Sequence, residues 1–200
     1  MSPTELLPLL APYASDVPPA LAAQLLLYLD LILKWNERVN LTAIRSPHDI
    51  VRRHFGESLF AAARLGPCST LLDFGSGAGF PGLPIQLAHP ALAVTLAESQ
   101  GKKAAFLQEA VRTLRLPTEV WPHRVESLPA GRTFDAVTLR AVDSMPAAIA
   151  AASLRAARTL VILTTLAAQP DPAHLPAFAF DPPIPLPASD SSILLLAHRR

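Results

Sequence analysis

Residues 71–90, LLDFGSGAGFPGLPIQLAHP, decide the fold of this chain, because they form an apolar strand, a turn with three glycines and the start of a helix. Such a strand–turn–helix unit is typical of α/β proteins that bind nucleotide-like ligands at the turn. Glycine suits that turn because the backbone can approach a ligand without a Cβ in the way. The stretch therefore predicts a ligand site where the first strand of a sheet ends.

Two common glycine loops do not fit this turn. The phosphate-binding loop of nucleoside triphosphatases ends in Gly-Lys-Ser/Thr, whereas Gly79 is followed by Phe80 and Pro81. A dinucleotide fingerprint has the spacing Gly-x-Gly-x-x-Gly, and here Phe80 stands where the third glycine belongs. The pattern that remains, Asp-x-Gly-x-Gly-x-Gly from Asp73, resembles that of S-adenosylmethionine-dependent methyltransferases.

An acidic residue follows where this cofactor needs one. Glu98 ends the next predicted strand, residues 93–99, and a carboxylate there can accept hydrogen bonds from both ribose hydroxyls. We therefore expect Asp73, Gly75, Gly77 and Glu98 to bind the cofactor. The alternative is a plain strand–turn–helix unit with an incidental surface glutamate.

The rest of the chain alternates predicted strands and helices. Strands are expected at 70–75, 93–99, 119–124, 134–141 and 159–165, and helices at 101–116 and 146–157. This alternation predicts a Rossmann-like, doubly wound α/β core over residues 66–200, with a proline-rich loop at 170–187. Residues 1–65, the N-terminal cap, are expected to be helical, because apolar side chains recur every three or four positions from Leu21 to Trp35.

Composition narrows the class of protein. Half of the 200 residues are hydrophobic and the net charge is +1, which predicts a globular chain and does not by itself indicate a nucleic-acid binder. Cys68 is the only cysteine, so neither a disulfide framework nor a thiolate metal site is expected. The N-terminus lacks a basic signal-peptide start and the apolar run 21–35 is too short to span a bilayer, so we expect a cytoplasmic protein without membrane contact.

Six blocks of sequence together resemble one family. In order they are WNERVNLTAIR (35–45), RHFGESL (53–59), DFGSGAGFPGLP (73–84), ESQGKKAAFL (98–107), HRVESL (123–128) and FDAVTLRAV (134–142). Their order and spacing are similar to those of the RsmG family, also called GidB, which methylates N7 of a guanine in the decoding region of 16S ribosomal RNA. The resemblance implies a class I S-adenosylmethionine-dependent fold with an N-terminal helical extension. It also implies a cofactor site that uses Gly75, Phe80, Val125, Glu126 and Arg140, and the small ribosomal subunit or its precursor as partner, with no metal and no DNA.

The positions of Val125, Glu126 and Arg140 in the sequence also favour a contact with the cofactor. Val125 and Glu126 follow the third predicted strand, where apolar contact and a backbone amide can address an adenine ring; Glu126 can alternatively be a helix-start carboxylate. Arg140 ends the fourth strand, where its guanidinium can clamp the cofactor carboxylate or an RNA phosphate. The alternative for Arg140 is a surface salt bridge with Asp143.

Candidate RNA contacts are basic residues near the ends of these elements, namely Arg52, Arg53, His54, Lys102 and Lys103. Each can equally be a solvated charge or, for His54, a local hydrogen-bonding group. Trp35 and Phe55 can stack on bases or belong to the core.

The expected chemistry needs no general base, because guanine N7 carries an in-plane lone pair and no hydrogen. Catalysis should come from alignment, to which Arg140 is expected to contribute. The chain lacks an Asp/Asn-Pro-Pro-Tyr/Phe motif after the fourth strand, which amine methylation commonly uses, and Cys68 precedes the first strand. Two alternatives stay open: methylation of a small molecule or a protein, and a cofactor-binding module without activity.

The chain departs from the family pattern at several positions. Leu139 stands where the family usually has serine, Glu57 stands where it has aspartate, and no Lys-Gly pair follows the fifth strand. Most of the departures lie in the C-terminal third, and they bear on RNA contacts there more than on the cofactor.

Overall fold

A mixed eight-stranded sheet forms the centre of the computed structural model, which describes residues 1–142 and 144–200. The strands are β1 (Thr70–Phe74), β2 (Ala93–Ala97), β3 (Glu119–Trp121), β4 (Phe134–Arg140), β5 (Ala156–Thr165), β6 (Phe178–Phe180), β7 (Ile184–Pro185) and β8 (Ser192–Arg199). Their order is β3-β2-β1-β4-β5-β8-β6, with β7 also paired to β8. Strands β1 to β5 are parallel, whereas β8 is antiparallel to β5, β6 and β7.

The strand order reverses at β1, which lies between β2 and β4. A reversal of this kind leaves a crevice at the carboxyl ends of the strands, and ligands bind there in open α/β sheets. The glycine turn predicted from the sequence begins directly after β1, so the fold places it at the edge of this crevice.

Helices cover both faces of the sheet, as the nearly uninterrupted apolar strands require. On one face Leu71 and Ala136 share a core with α5 (Gly82–Ala88) and α6 (Gly101–Thr113), and on the other Leu72 and Val137 pack with α7 (Met145–Ser153). Neighbouring strand residues serve opposite faces because side chains alternate along a strand.

The N-terminal cap packs into the first of these cores. It comprises α1 (Pro3–Leu10), α2 (Pro19–Asn36), α3 (Pro47–Asp49), a π-helical segment (Ile50–Gly56) and α4 (Glu57–Ala62). Tyr28 of α2 is fully buried and packs against Phe55 of the cap and against Phe80 and Phe106 of the α/β core. The cap and the α/β core therefore share one hydrophobic interior.

The C-terminal third differs from the expectations in two places. The helix predicted for 146–157 ends at Ser153, and β5 begins at Ala156 instead of 159, because residues 156–159 pair with the start of β4. The proline-rich segment contains the short strands β6 and β7, both on β8 at the edge of the sheet, where a proline such as Pro185 is tolerated. Within the described residues, no helix is both long and apolar enough to cross a membrane.

Candidate functional site

A cavity of about 510 Å³ opens at the carboxyl ends of β1, β2 and β4. The glycine turn, the end of β2, the loop after β3, the end of β4 and two segments of the N-terminal cap form its wall. Most of the predicted site residues line it: His54, Gly75, Gly77, Phe80, Glu98, Lys103, Val125, Glu126 and Arg140. Asp73, Arg52, Arg53 and Lys102 do not.

The glycine turn is open on the cavity side and tightly packed underneath. Gly77 has a φ of +58°, and a Cβ placed there would meet only the Gly75 carbonyl oxygen, 3.9 Å away. At Gly79 a Cβ would lie 2.5 Å from the hydroxyl oxygen of Tyr28. The same hydroxyl donates a hydrogen bond to the carbonyl of Ala78. Helix α2 of the cap thus holds the turn from below and leaves its upper side free for a ligand.

Glu98 ties the turn to the neighbouring strand. Its Oε2 accepts a hydrogen bond from the Gly77 amide at 2.9 Å, and its Oε1 accepts one from the Gln100 amide at 2.7 Å. Each carboxylate oxygen has a further lone pair, so Glu98 can also accept hydrogen bonds from two hydroxyls of a ligand.

Asp73 supports the turn and does not face the cavity. Its carboxylate is fully buried, accepts a hydrogen bond from the Thr138 hydroxyl at 2.7 Å and another from the Gly82 amide at 3.1 Å. Burial raises its pKa to about 6. The prediction that Asp73 contacts the cofactor directly is therefore corrected to a supporting role, because the strand's pleat turns this side chain toward α5.

Val125 and Glu126 form the start of a short 3-10 turn, Val125–Ser127, after β3. Val125 is buried and gives the cavity an apolar patch, while the Glu126 side chain is exposed. Arg155 fixes the following loop by donating to the carbonyls of Leu128 at 3.0 Å and Pro129 at 2.8 Å.

Arg140 bridges the sheet and the N-terminal cap. Its Nη2 donates to the Glu57 carboxylate and to the Arg53 carbonyl oxygen, both at 2.8 Å, and its Nη1 lies 2.6 Å from Nδ1 of His54. The Arg140 and Glu57 side chains are 14% and 8% exposed, so this ion pair is largely buried. The alternative partner named from the sequence, Asp143, lies outside the described residues.

His54 is a neutral part of this wall. Its ring stacks on Phe80 with 4.5 Å between the ring centroids, and its Nε2 lies 2.8 Å from the Thr42 hydroxyl oxygen. Burial lowers the pKa of His54 to about 3, and the charges of Arg140 and Arg53 add to this effect. His54 therefore lines the cavity as an uncharged hydrogen-bonding group.

The other basic residues predicted to contact RNA differ in their exposure and in whether they line the cavity. Arg52 and Arg53 are exposed on the π-helical segment, Lys102 is exposed at the start of α6, and the half-buried Lys103 reaches the cavity. Phe55 is fully buried and Trp35 packs edge-on against Phe106, so both belong to the core.

Sequence reasoning missed Tyr28, Thr42 and Glu57 as parts of the site. Tyr28 lies on the apolar face of α2, where it could not be told from an ordinary core residue. Thr42 and Glu57 lie inside two of the six matched blocks, and that was the only signal available for them.

Comparisons with known proteins show which family the chain resembles. The sequence profile of the family described as rRNA small subunit methyltransferase G matches residues 21–165. A Xanthomonas euvesicatoria protein named ribosomal RNA small subunit methyltransferase G is 40% identical over 167 residues, which are 82% of this chain and 78% of that protein. The protein of the same name from Xylella fastidiosa is 47% identical over 122 residues, 60% of this chain and 57% of that protein.

Solved structures share the fold at lower identity. A T. thermophilus 16S rRNA methyltransferase in complex with AdoMet and guanosine has a TM-score of 0.56 and 19% identity, covering 94% of this chain and 44% of that one. The 23S rRNA methyltransferase ErmE has a TM-score of 0.53 and 19% identity, covering 70% and 66%.

Proposed function

Because the chain belongs to the rRNA small subunit methyltransferase G family, we propose that it transfers a methyl group from S-adenosylmethionine to N7 of a guanine in 16S rRNA. The resemblance noted in the sequence is confirmed, and so is the Rossmann-like class I methyltransferase fold. The observation that carries the proposal is the two-sided cavity. One side has the glycine turn and Glu98, and the other is built by the N-terminal cap and Arg140.

The first side fits S-adenosylmethionine, which supplies a methyl group on a positively charged sulfonium when it is bound. Gly77 leaves space above the turn, Glu98 has lone pairs free for the ribose hydroxyls, and Val125 offers an apolar contact for the adenine. Losing a charge-assisted hydrogen bond of the Glu98 kind costs about 1.5–3 kcal/mol.

The second side fits a flat base that has to be aligned and needs no proton removed. His54 cannot act as a base in its observed position, because Nδ1 is engaged by Arg140 and the neutral ring carries its hydrogen on Nε2. Asp73 is buried behind the turn. Guanine N7 needs no base, so holding the base in line and excluding water suffices.

The partner in this proposal is 16S rRNA, as part of the small ribosomal subunit or its precursor. Lys103 lines the cavity, and the exposed Lys102, Arg52 and Arg53 are close in sequence to the cavity residues Lys103 and His54. All four basic side chains can contact RNA phosphates. These contacts would hold the RNA without reading its sequence.

Mapping the methyl group tests the proposed function. Small subunits from cells that lack this gene are incubated with the purified protein and labelled S-adenosylmethionine, and 16S rRNA is cleaved chemically at N7-methylguanine. We expect label and cleavage at one guanine, and much less of both with the Glu98→Ala variant when S-adenosylmethionine is limiting. Label on a protein or a small molecule would favour another substrate, and cofactor binding without transfer would favour an inactive binding module.

A further inference from the structure

Four polar side chains form a continuous hydrogen-bonded row from the interior to the cavity. Arg140 donates to Glu57 at 2.8 Å and contacts Nδ1 of His54 at 2.6 Å, and Nε2 of His54 contacts the Thr42 hydroxyl oxygen at 2.8 Å. Glu57 and His54 belong to the cap helices, Arg140 to β4 and Thr42 to the segment between α2 and α3. The last three line the cavity.

The donor and the acceptor of every hydrogen bond in this row can be assigned from Arg140. A guanidinium has only donors, so Nδ1 of His54 must accept from Arg140. In the neutral ring the hydrogen then lies on Nε2, which donates to Thr42. The pKa of His54, lowered to about 3 by burial and by Arg140, keeps this tautomer uncharged at neutral pH.

The Thr42 hydroxyl is left as a donor. Its oxygen already accepts from Nε2 of His54 and, at 3.2 Å, from the amide of Ile44. A hydroxyl has two lone pairs and one hydrogen, so any further hydrogen bond of Thr42 is one that it donates. Thr42 is half-buried in the cavity wall and is linked through His54 to Arg140, which lines the same cavity.

We propose that Thr42 makes the site specific for guanine by donating this hydrogen bond to O6 of the target base. On its N7 edge guanine presents two acceptors, N7 and O6, whereas adenine presents the N7 acceptor and the N6 amino donor. A fixed donor beside N7 therefore favours guanine, and with adenine it would face another donor. The inference rests on the proposed function and assigns the residue that selects the base within it.

The test compares two proteins on two RNAs. Small subunits are reconstituted with 16S rRNA that carries either guanine or 2-aminopurine, which lacks O6, at the target position. Single-turnover rates are measured at saturating S-adenosylmethionine for the wild type and for Thr42→Val, which keeps the shape and removes the hydroxyl. Because each RNA is compared across the two proteins, the different intrinsic reactivities of the bases cancel.

We expect Thr42→Val to lose about 10-fold or more in rate on guanine and less than about 2-fold on 2-aminopurine. Thr42→Ser keeps the hydroxyl and should keep the guanine rate. Calorimetric binding of S-adenosylmethionine checks that each variant is folded, and Thr42→Ala replaces the valine variant if that variant does not bind.

An equal loss on both RNAs would mean that Thr42 only supports the wall, and it would overturn the inference. An unchanged guanine rate in Thr42→Val would overturn it as well. If the wild type methylates neither RNA, the proposed function itself is overturned. This outcome is seen with the wild type alone.

Discussion

Burial shifts the pKa values of Asp73 and His54 in opposite directions, so the two groups contribute to the pH dependence of the free energy of unfolding with opposite signs. Removing either side chain should therefore reveal the contribution of the other. Burial lowers the pKa of His54 from 6.5 to about 3, so its neutral form stabilises the protein above pH 6.5. That stability is lost as the pH falls from 6.5 toward 3, by about 1.4 kcal/mol per pH unit.

Asp73 contributes to the pH dependence of stability with the opposite sign. Burial raises its pKa from 3.8 to about 6, so the stability linked to its protonated form is present below pH 3.8 and is lost as the pH rises through 6. Between about pH 4 and 6 the folded protein binds one more proton on Asp73 than the unfolded chain does, and one fewer on His54. The two slopes of about 1.4 kcal/mol per unit therefore cancel in the wild type.

Two substitutions separate these contributions: Asp73→Asn removes the carboxyl group, and His54→Gln removes the imidazole. Relative to wild type, the free energy of unfolding of Asp73→Asn should rise with pH by about 2–3 kcal/mol across this window, and that of His54→Gln should fall by a similar amount. Urea unfolding at half-unit pH steps measures both. Because the other titrating groups are common to all three proteins, only the differences in slope are compared. A difference between wild type and Asp73→Asn that does not change with pH would refute the assignment of a raised pKa to Asp73.

Three other predictions concern the site. Glu98→Ala should weaken S-adenosylmethionine binding by about 10- to 100-fold in calorimetry, and Gly77→Val should also weaken it by filling the space above the turn. Glu109→Ala on α6 is the control and should leave the affinity unchanged. Unchanged affinity in both site variants would rule out the assigned cofactor side. Neutralising Arg52, Arg53 and Lys102 should raise the KM for small subunits and flatten its salt dependence without changing cofactor affinity. Neutralising Arg112 and Arg115 serves as the control. Equal salt slopes for the wild type and the variant at Arg52, Arg53 and Lys102 would place the RNA elsewhere. The single-turnover rate should be flat between about pH 6 and 9, and a steep acidic limb would point to a catalytic base.

The sequence predicted the parts of this molecule whose signals are local. The glycine turn after β1, the position of Glu98 and the strand–helix alternation each depend on a few neighbouring residues, and the structure places them together. The cap could be predicted as helical, but its contacts could not. Tyr28 reaches Ala78 and Glu57 reaches Arg140 across long stretches of chain, and nothing in residue spacing indicates such partners.

Three features of the site could not be predicted from the sequence, for physical reasons. Asp73 was expected to contact the ligand because it precedes the turn, but the alternation of side chains along β1 directs it toward Thr138 and Gly82. Arg140 lines the cavity, and its contact with the cofactor or an RNA phosphate stays a prediction; its largely buried ion pair with Glu57 of the cap could not be predicted from the sequence. Burial also makes His54 a neutral acceptor, which its place beside two arginines in the sequence would not indicate.

The most direct test of the central claim is methyl transfer to small subunits that carry 7-deazaguanine at the target position. This base keeps O6 and the ring shape but has carbon in place of N7. We predict normal transfer to guanine, binding of both particles with similar affinity, and no transfer to the deaza base. Transfer to 7-deazaguanine at the guanine rate would show that the methyl group goes to another atom, and it would contradict the account.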